Sequence, residues 1–457
     1  MKKCRLFSII LFFILLLLPL AFFNFTPDYV SKIDNRKLAS HSDGMTKYVE
    51  DRIGFRDQFI SGYTLLHDRL FHLMVHPSYE YGEEGYVFFK YKRNSCDTAY
   101  MEAFAQSIKA MQDYCESRDV PFLFCMDPEK AAVYTDYLAD GYTYSRSGTD
   151  YLLKRLKELG VNFIDNTALL KEKSKTEQVF NVKYDAGHWN DLGAFYGTNA
   201  ILEAMNRFFP SVVPNAKEDF EISTVLQTSL PVSTFPIHEE VPAFSLKKNT
   251  GYIDKTDLYK AELSMDKNYH TFRYLVNENA VDAPKALVFQ GSYLNSRHQY
   301  LQPAFREYIA VHNYQNVLRL DYYFNIFRPD CVIFEATEYT FNNSFFSGAT
   351  MDTLYFPPAY TAFDSYETVP SQNHWEVQAD GGKSLITLRL IPDLPASSLA
   401  YLDIDGTIYD TLYNADDNLY TTTIEAANIT ADSALSLIEI HEDIEQKRLY
   451  TLSYSAR

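Results

Sequence analysis

Four short runs constrain the fold more than anything else in the chain. "VPFLFCMD" (120–127), "VNFIDN" (161–166), "ALVFQGSY" (286–293) and "PDCVIFEATE" (329–338) are apolar on consecutive positions, without alternation. Strands of that kind are buried on both faces, the habit of parallel strands covered by helices. Segments with helical spacing lie among them at 100–117, 149–159 and 191–208. "PAFREYIAVHNY" (303–314) is read as a further helix. Alternating strands and helices predict an α/β domain on a doubly wound parallel sheet.

Outside that frame, "TKYVEDRIGFRDQFISGYTLLHDRLFHLMV" (46–75) places Phe59, Tyr63, Leu66, Leu70 and Leu73 at helical spacing and predicts one helix. "YGEEGYVFFK" (81–90) reads as a turn and a short aromatic strand. The 457 residues predict two folded units and a terminal segment: an α/β domain at 45–360 with an irregular insertion at about 214–278, then a small β-sandwich at 363–457. The second unit is marked by short alternating strands and by the hairpin signal Asp405-Gly406.

The N-terminus, "MKKCRLFSIILFFILLLLPLAFFNF", sets three basic residues before an apolar run long enough to span a bilayer. No small-residue cleavage site follows, so residues 1–27 are expected to stay as a transmembrane signal anchor. The basic end stays in the cytosol, which places the folded domains outside the cell membrane. A net charge of -18 argues against nucleic acid and anionic lipid surfaces as partners. Cys96, Cys115, Cys125 and Cys331 fit no metal pattern. Buried thiols are favoured for Cys125 and Cys331, with one disulfide among the four left open. His67, His72 and His76 lack the carboxylate and spacing of a zinc site and read as structural. No metal or cofactor is expected, and no Gly-rich phosphate loop occurs.

Two stretches carry candidate chemistry. "YDAGHWNDLGAF" (184–195) sets Asp185 three residues before His188 at a helix opening. Each alone reads equally as a decorated helix cap, with Asn190 as the cap. In "ALVFQGSY", Ser292 follows a strand end, where open α/β sheets collect their chemistry. Ser292, His188 and Asp185 are together the parts that acyl transfer requires: a nucleophile, a base and a carboxylate that orients the base. Trp189 and Tyr184 are expected to pack around the imidazole. The backbone N–H groups of Ser292 and Tyr293, at the start of a helix, and the Asn295 side chain are candidate oxyanion donors. Glu335 and Glu338, at another strand end, read equally as pocket lining or as capping groups. Arg52 and Arg56 read as structural ion-pair partners.

Six landmarks in order carry a resemblance: "EDRIGFRD" (50–57), "GEEGYVFFK" (82–90), "MDPEKAAVY" (126–134), "YDAGHWNDLGA" (184–194), "LVFQGSY" (287–293) and "RPDCVIFEATE" (328–338). In these the chain resembles the SGNH-like domain of extracytoplasmic polysaccharide O-acetyltransferases, the alginate O-acetylation proteins, and the related DHHW family. Asp and His precede Ser, as in that family. Gln290-Gly291-Ser292-Tyr293 lacks the acidic residue that usually precedes the family's serine, and two residues rather than one separate Asp185 from His188. The resemblance implies Ser292 as acyl carrier, His188 as base, Asp185 as its orienting group, and Lys130 with Tyr134 at the pocket edge. It also implies a polysaccharide acceptor, with the acyl group supplied by a multipass membrane acyltransferase. A carbohydrate esterase with the same three residues, or a non-catalytic polysaccharide-binding subunit, stand as the alternatives.

Overall fold

Three of the apolar runs form inner strands of a seven-stranded sheet, and the fourth, 161–166, forms one of its edges. Its strands are β1 (Phe122–Asp127), β2 (Phe163–Asp165), β3 (Tyr252–Asp254), β4 (Phe272–Asn277), β5 (Lys285–Gln290), β6 (Glu307–His312) and β7 (Cys331–Thr337). They are arranged β2-β1-β7-β5-β6-β4-β3. The computed structural model describes residues 2–31, 36–76, 78–90, 96–231, 235–248, 251–361, 367–370, 375–392, 399–414, 417–430, 432–441 and 446–452. Strands β2, β1, β7, β5 and β6 are parallel, whereas β4 and β3 add antiparallel at one edge. The sheet is therefore mixed, not wholly parallel as expected.

Successive residues of β1 face opposite cores. Phe122, Phe124 and Met126 pack with helices α4 (Thr98–Glu116), α5 (Ser147–Glu158) and α7 (Leu320–Phe327). Leu123 and Cys125 pack on the other face with α6 (Asp191–Asn206). Burial on both faces is why these strands show no alternation in sequence. Cys115, Cys125 and Cys331 are free thiols inside these cores, and Cys96 is free and half-buried.

Three expectations change. The helix expected over 303–314 is replaced by strand β6 at 307–312, whose residues Tyr308 to Val311 are at most 1% exposed and face both cores. The described residues of 214–278 are largely regular. They hold a long antiparallel hairpin, Phe220–Ser229 with Pro236–Leu246, and then edge strands β3 and β4. Its outer strand is mostly exposed, which removed the hydrophobic pattern that would have marked it. The helix expected over 46–75 is broken into α2 (Met45–Arg52) and α3 (Arg56–Phe71). At the break Gly54 donates its N–H to Pro19 O at 2.8 Å, and a Cβ there would meet Phe22 O at 2.6 Å. Only glycine permits that approach.

The N-terminal helix α1 (Lys2–Ala21) carries apolar side chains exposed along its length. Its described side chains begin at Arg5, and among the described residues no helix is long and apolar enough to cross a membrane. Arg56 pairs with Asp57 and Asp51, whereas Arg52 donates to the carbonyls of Asn24, Thr26 and Ala39.

Beyond residue 366, a five-stranded and a four-stranded sheet share one apolar core, in which Leu388, Leu390 and Ile424 meet Leu402, Ile404 and Leu437. Polar contacts fix these sheets to the α/β body. Tyr114 donates to Asp410 at 2.6 Å, Arg118 reaches the same carboxylate at 2.8 Å, and Glu262 accepts the N–H groups of Lys383, Ser384 and Leu385. Arg118 and Asp410 are 13% and 7% exposed, so removing one partner strands the other in a dry setting. Asp410→Ala is expected to cost about 3 kcal/mol in urea unfolding and Tyr114→Phe about 1 kcal/mol. Losses of both below the error of the measurement would mean that this contact does not hold the sheets.

Candidate active site

The carboxyl ends of β5, β7 and β1 meet at one spot, and the loop before α6 closes over it. Asp185 sits in this loop with a left-handed backbone, φ 52°, which aspartate tolerates. One of its oxygens, Oδ1, accepts both the backbone N–H of His188 at 3.2 Å and the ring Nδ1 at 2.7 Å. The opposite ring nitrogen, Nε2, lies 2.9 Å from Ser292 Oγ. Three residues from two distant stretches are thus joined in one chain of hydrogen bonds. With Nδ1–H donating to Asp185, Nε2 is the acceptor and the serine hydroxyl is the donor. Burial pushes the Asp185 carboxyl up, but the hydrogen bond and charge of His188, with Arg297 beyond, hold it below its usual value.

A fourth group was not singled out in the sequence. The Tyr339 hydroxyl lies 2.7 Å from Ser292 Oγ, just past the end of β7. Burial raises the Tyr339 hydroxyl well above its usual pKa, so it stays protonated beside Oγ. The only signal available was its place after the strand "CVIFEAT", two residues beyond Thr337.

The other expected residues fall differently. Residues 292–296 run through turns, followed by a short 3-10 helix, His298–Tyr300. The N–H groups of Ser292 and Tyr293 therefore have no α-helix behind them. Asn295 Oδ1 accepts from Gln290 Nε2 at 3.3 Å, away from the serine hydroxyl. The ring packed on the imidazole is Tyr293, at 5.3 Å between centroids. Trp189 lies one layer back: fully buried, it donates Nε1–H to Tyr293 O at 3.0 Å. Tyr184 is held through its backbone, its N–H donating to Glu239. Lys130 is 1% exposed and donates to Val87 O and Val182 O, so it braces the loop below Asp185 and does not edge a pocket. Burial brings its pKa down to about 7. Tyr134 likewise accepts from Val179 N–H at 3.2 Å.

The loop is held from several sides. The Glu239 carboxylate, on the hairpin strand Pro236–Leu246, accepts the N–H groups of Val182, Lys183 and Tyr184 at 2.6 to 2.9 Å. Tyr293 donates its hydroxyl to Gly187 O at 2.5 Å. Gly187 itself lies against the Phe89 ring, where a Cβ would come within 1.9 Å. Arg297 ties Asp191 to Trp189 O. The stretch expected to be irregular thus supplies a main support of the site.

Beneath the serine turn, Glu335 and Asp127 are both fully buried. Glu335 Oε2 accepts the Gly291 N–H at 2.5 Å, and Asp127 Oδ1 accepts from Asn166 Nδ2 at 2.7 Å. Glu335 Oε1 and Asp127 Oδ2 find no other partner among the described residues. The two carboxyl groups are within hydrogen-bonding reach of each other, so one shared proton satisfies both. Burial raises Asp127 to about 7, and burial with the Asp127 charge raises Glu335 well above its usual value. Glu338 takes a different part, accepting from Glu129 N–H, Tyr144 and Arg146.

Residues 80–232 match the family model of the SGNH hydrolase-like domain of the acetyltransferase AlgX. The match holds Asp185 and His188 and ends before Ser292. No curated protein sequence matches the chain. Among solved structures, Bacillus cereus PatB1 with a sulfonyl adduct is 16% identical, covering 58% of this chain and 95% of its own, with a TM-score of 0.46. The O-acetyltransferase domain of Pseudomonas putida AlgJ is 18% identical, covering 61% and 99%, with a TM-score of 0.43. Pseudomonas aeruginosa AlgX is 13% identical, covering 82% and 90%, with a TM-score of 0.40. The chain carries an SGNH-like α/β fold with a mixed sheet, followed by small β-sheets.

The carboxyl pair makes a pH-dependent contribution. Folded pKa values raised above the unfolded ones give stability that is full below about pH 4 and is lost as pH rises through about 7. Asp127→Asn removes one of these groups while keeping a donor toward Glu335. Its unfolding free energy is expected to fall less steeply than that of the wild type between those limits, by about 1 kcal/mol per pH unit at most. Parallel pH curves in urea titrations would rule out the shared proton.

Proposed function

We propose that the chain is an O-acetyltransferase, anchored in the cell membrane by its N-terminal helix and working outside it on a cell-surface or secreted polysaccharide. The hydrogen-bonded series Asp185, His188, Ser292 is the observation that carries this reading. The AlgX-type match of residues 80–232 gives it a reaction class. An acyl donor, delivered in this reading by a multipass membrane acyltransferase, presents its carbonyl to Ser292 Oγ. As the C–O bond forms, the hydroxyl proton passes to His188 Nε2, and Asp185 holds the imidazolium that results. The tetrahedral centre collapses by expelling the donor's leaving group, which takes that proton from Nε2. A sugar hydroxyl then attacks the acyl-serine, gives its proton to Nε2, and Ser292 leaves with it. The protonated Tyr339 hydroxyl, 2.7 Å from Oγ, steadies the negative charge that builds beside it.

Water in place of the sugar hydroxyl would make the same machinery an esterase. Ser292 is half-buried and not sealed, so only relative occupancy of the site by sugar or water separates the two.

The protein treated with p-nitrophenyl acetate is expected to gain one acetyl group by intact-mass spectrometry, and to lose that gain in Ser292→Ala and His188→Ala. Tyr339→Phe should keep the adduct but form it ~10²-fold more slowly. Oligosaccharide acceptor added to the adduct should appear acetylated; free acetate alone would point to the esterase. A folded protein with no adduct at all would exclude the acyl-serine.

A further inference from the structure

Helix α3 is built inside out. Its acidic side chains turn toward the protein: Asp57 accepts from Ser31 at 3.1 Å and Asp68 from the Tyr81 hydroxyl at 2.7 Å. Most of its large apolar side chains turn away, with Phe59 61%, Tyr63 55%, Leu66 52% and Leu70 64% exposed, while Ile60 and Leu65 are half-buried. No residue of this 16-residue helix is buried. A helix in water keeps the opposite arrangement, and an apolar patch of this extent marks a covered surface.

What covers it is indicated by its neighbour. The rings of Phe22, Phe55 and Phe59 run in contact from the end of α1 onto α3, at 4.9 and 6.4 Å between centroids. The Gly54 bond to Pro19 O locks the two helices together there. The exposed apolar surface of α1 thus continues without a break into that of α3 and demands the same medium. With a chain charge of -18, attachment has to come from apolar burial and not from basic residues. We propose that the outward face of α3, Phe59, Tyr63, Leu66 and Leu70, lies in the interfacial layer of a phospholipid bilayer beside α1. This rests on the anchoring reading given above.

The placement orients the site. At the end of α3 a trough of about 780 Å³, lined by Phe59, Tyr63, His67, Leu73, His76 and Lys90, opens on the same face. From it a series of rings, His76, Tyr79, Phe89 and Tyr339, spaced 4.5, 5.3 and 6.4 Å apart, leads to the hydroxyl bound to Ser292. The Ser292 turn is thus tied by packed rings to the face of the molecule that turns to the bilayer.

The full-length chain in a Cys4→Ser, Cys96→Ser background tests this. An NBD fluorophore is placed on Leu66→Cys, on Leu70→Cys, on Phe13→Cys in α1, or on Glu221→Cys in the exposed hairpin. The protein is reconstituted in phosphatidylcholine vesicles with or without nitroxide lipids. Probes at 66, 70 and 13 are expected to lose about half or more of their emission to the nitroxide lipids and to resist aqueous iodide, the probe at 221 doing the reverse. Lipid quenching at 13 with iodide quenching at 66 and 70 would overturn the proposal and leave the anchor standing. Iodide quenching at all positions would overturn the anchor as well. Probes at 66 and 70 shielded from both quenchers would mean that protein, a second copy or another partner, covers α3 instead.

Discussion

Everything at the candidate site hangs on one buried hydrogen bond, from Gly291 N–H to Glu335. A parallel sheet ends in carbonyl and N–H groups that have no further strand to bond. Where the ends of β5, β7 and β1 meet, those groups lie in a dry setting. Glu335 satisfies the one that sets the start of the serine turn, and the proton shared with Asp127 lets two carboxyl groups sit there without a cation. The alternative, two charges side by side in the core, would open the sheet end. The position of Ser292 is thus decided by a polar contact one residue before it, below the surface.

The loop that bears Asp185 and His188 is fixed by a different principle. It has no regular structure, and side chains from elsewhere bind backbone groups along it: Glu239 from the hairpin, Lys130 from below, Tyr293 from the serine turn. Tyr293 belongs to both halves. It follows Ser292, packs on the His188 ring, and closes the loop that carries His188. Side-chain rotamers set by such packing keep donor and acceptor within a few tenths of an ångström of working distance, which is the condition for proton transfer.

How much of this was legible in sequence depended on burial. Strands β1, β5 and β7 announced themselves as continuous apolar runs, and the three residues of the hydrogen-bonded series were visible as types at strand and helix ends. The structure brings those three together. β6 was misread because its apolar stretch, "YIAV", is only four residues long, and so short a run does not distinguish a buried strand from a buried helix. The hairpin at 220–246 escaped because its exposed strand carries no pattern. Tyr339 and Glu239 escaped for a more general reason: each acts on residues far away in sequence, Ser292 and residues 182–184, and nothing local to either records the meeting. The helix expected after Ser292 was read from its place at a strand end, and turns stand there instead.

A last consequence follows from the turn at Asp185. The same oxygen closes the four-residue turn and holds the imidazole. Local folding and orientation of the His188 ring therefore share one acceptor: closing the turn sets that oxygen where the ring nitrogen meets it. The rotational entropy of His188 is surrendered when the chain folds and is not demanded again at each encounter with substrate. The site is set before anything binds, as a latch is set when its door is hung.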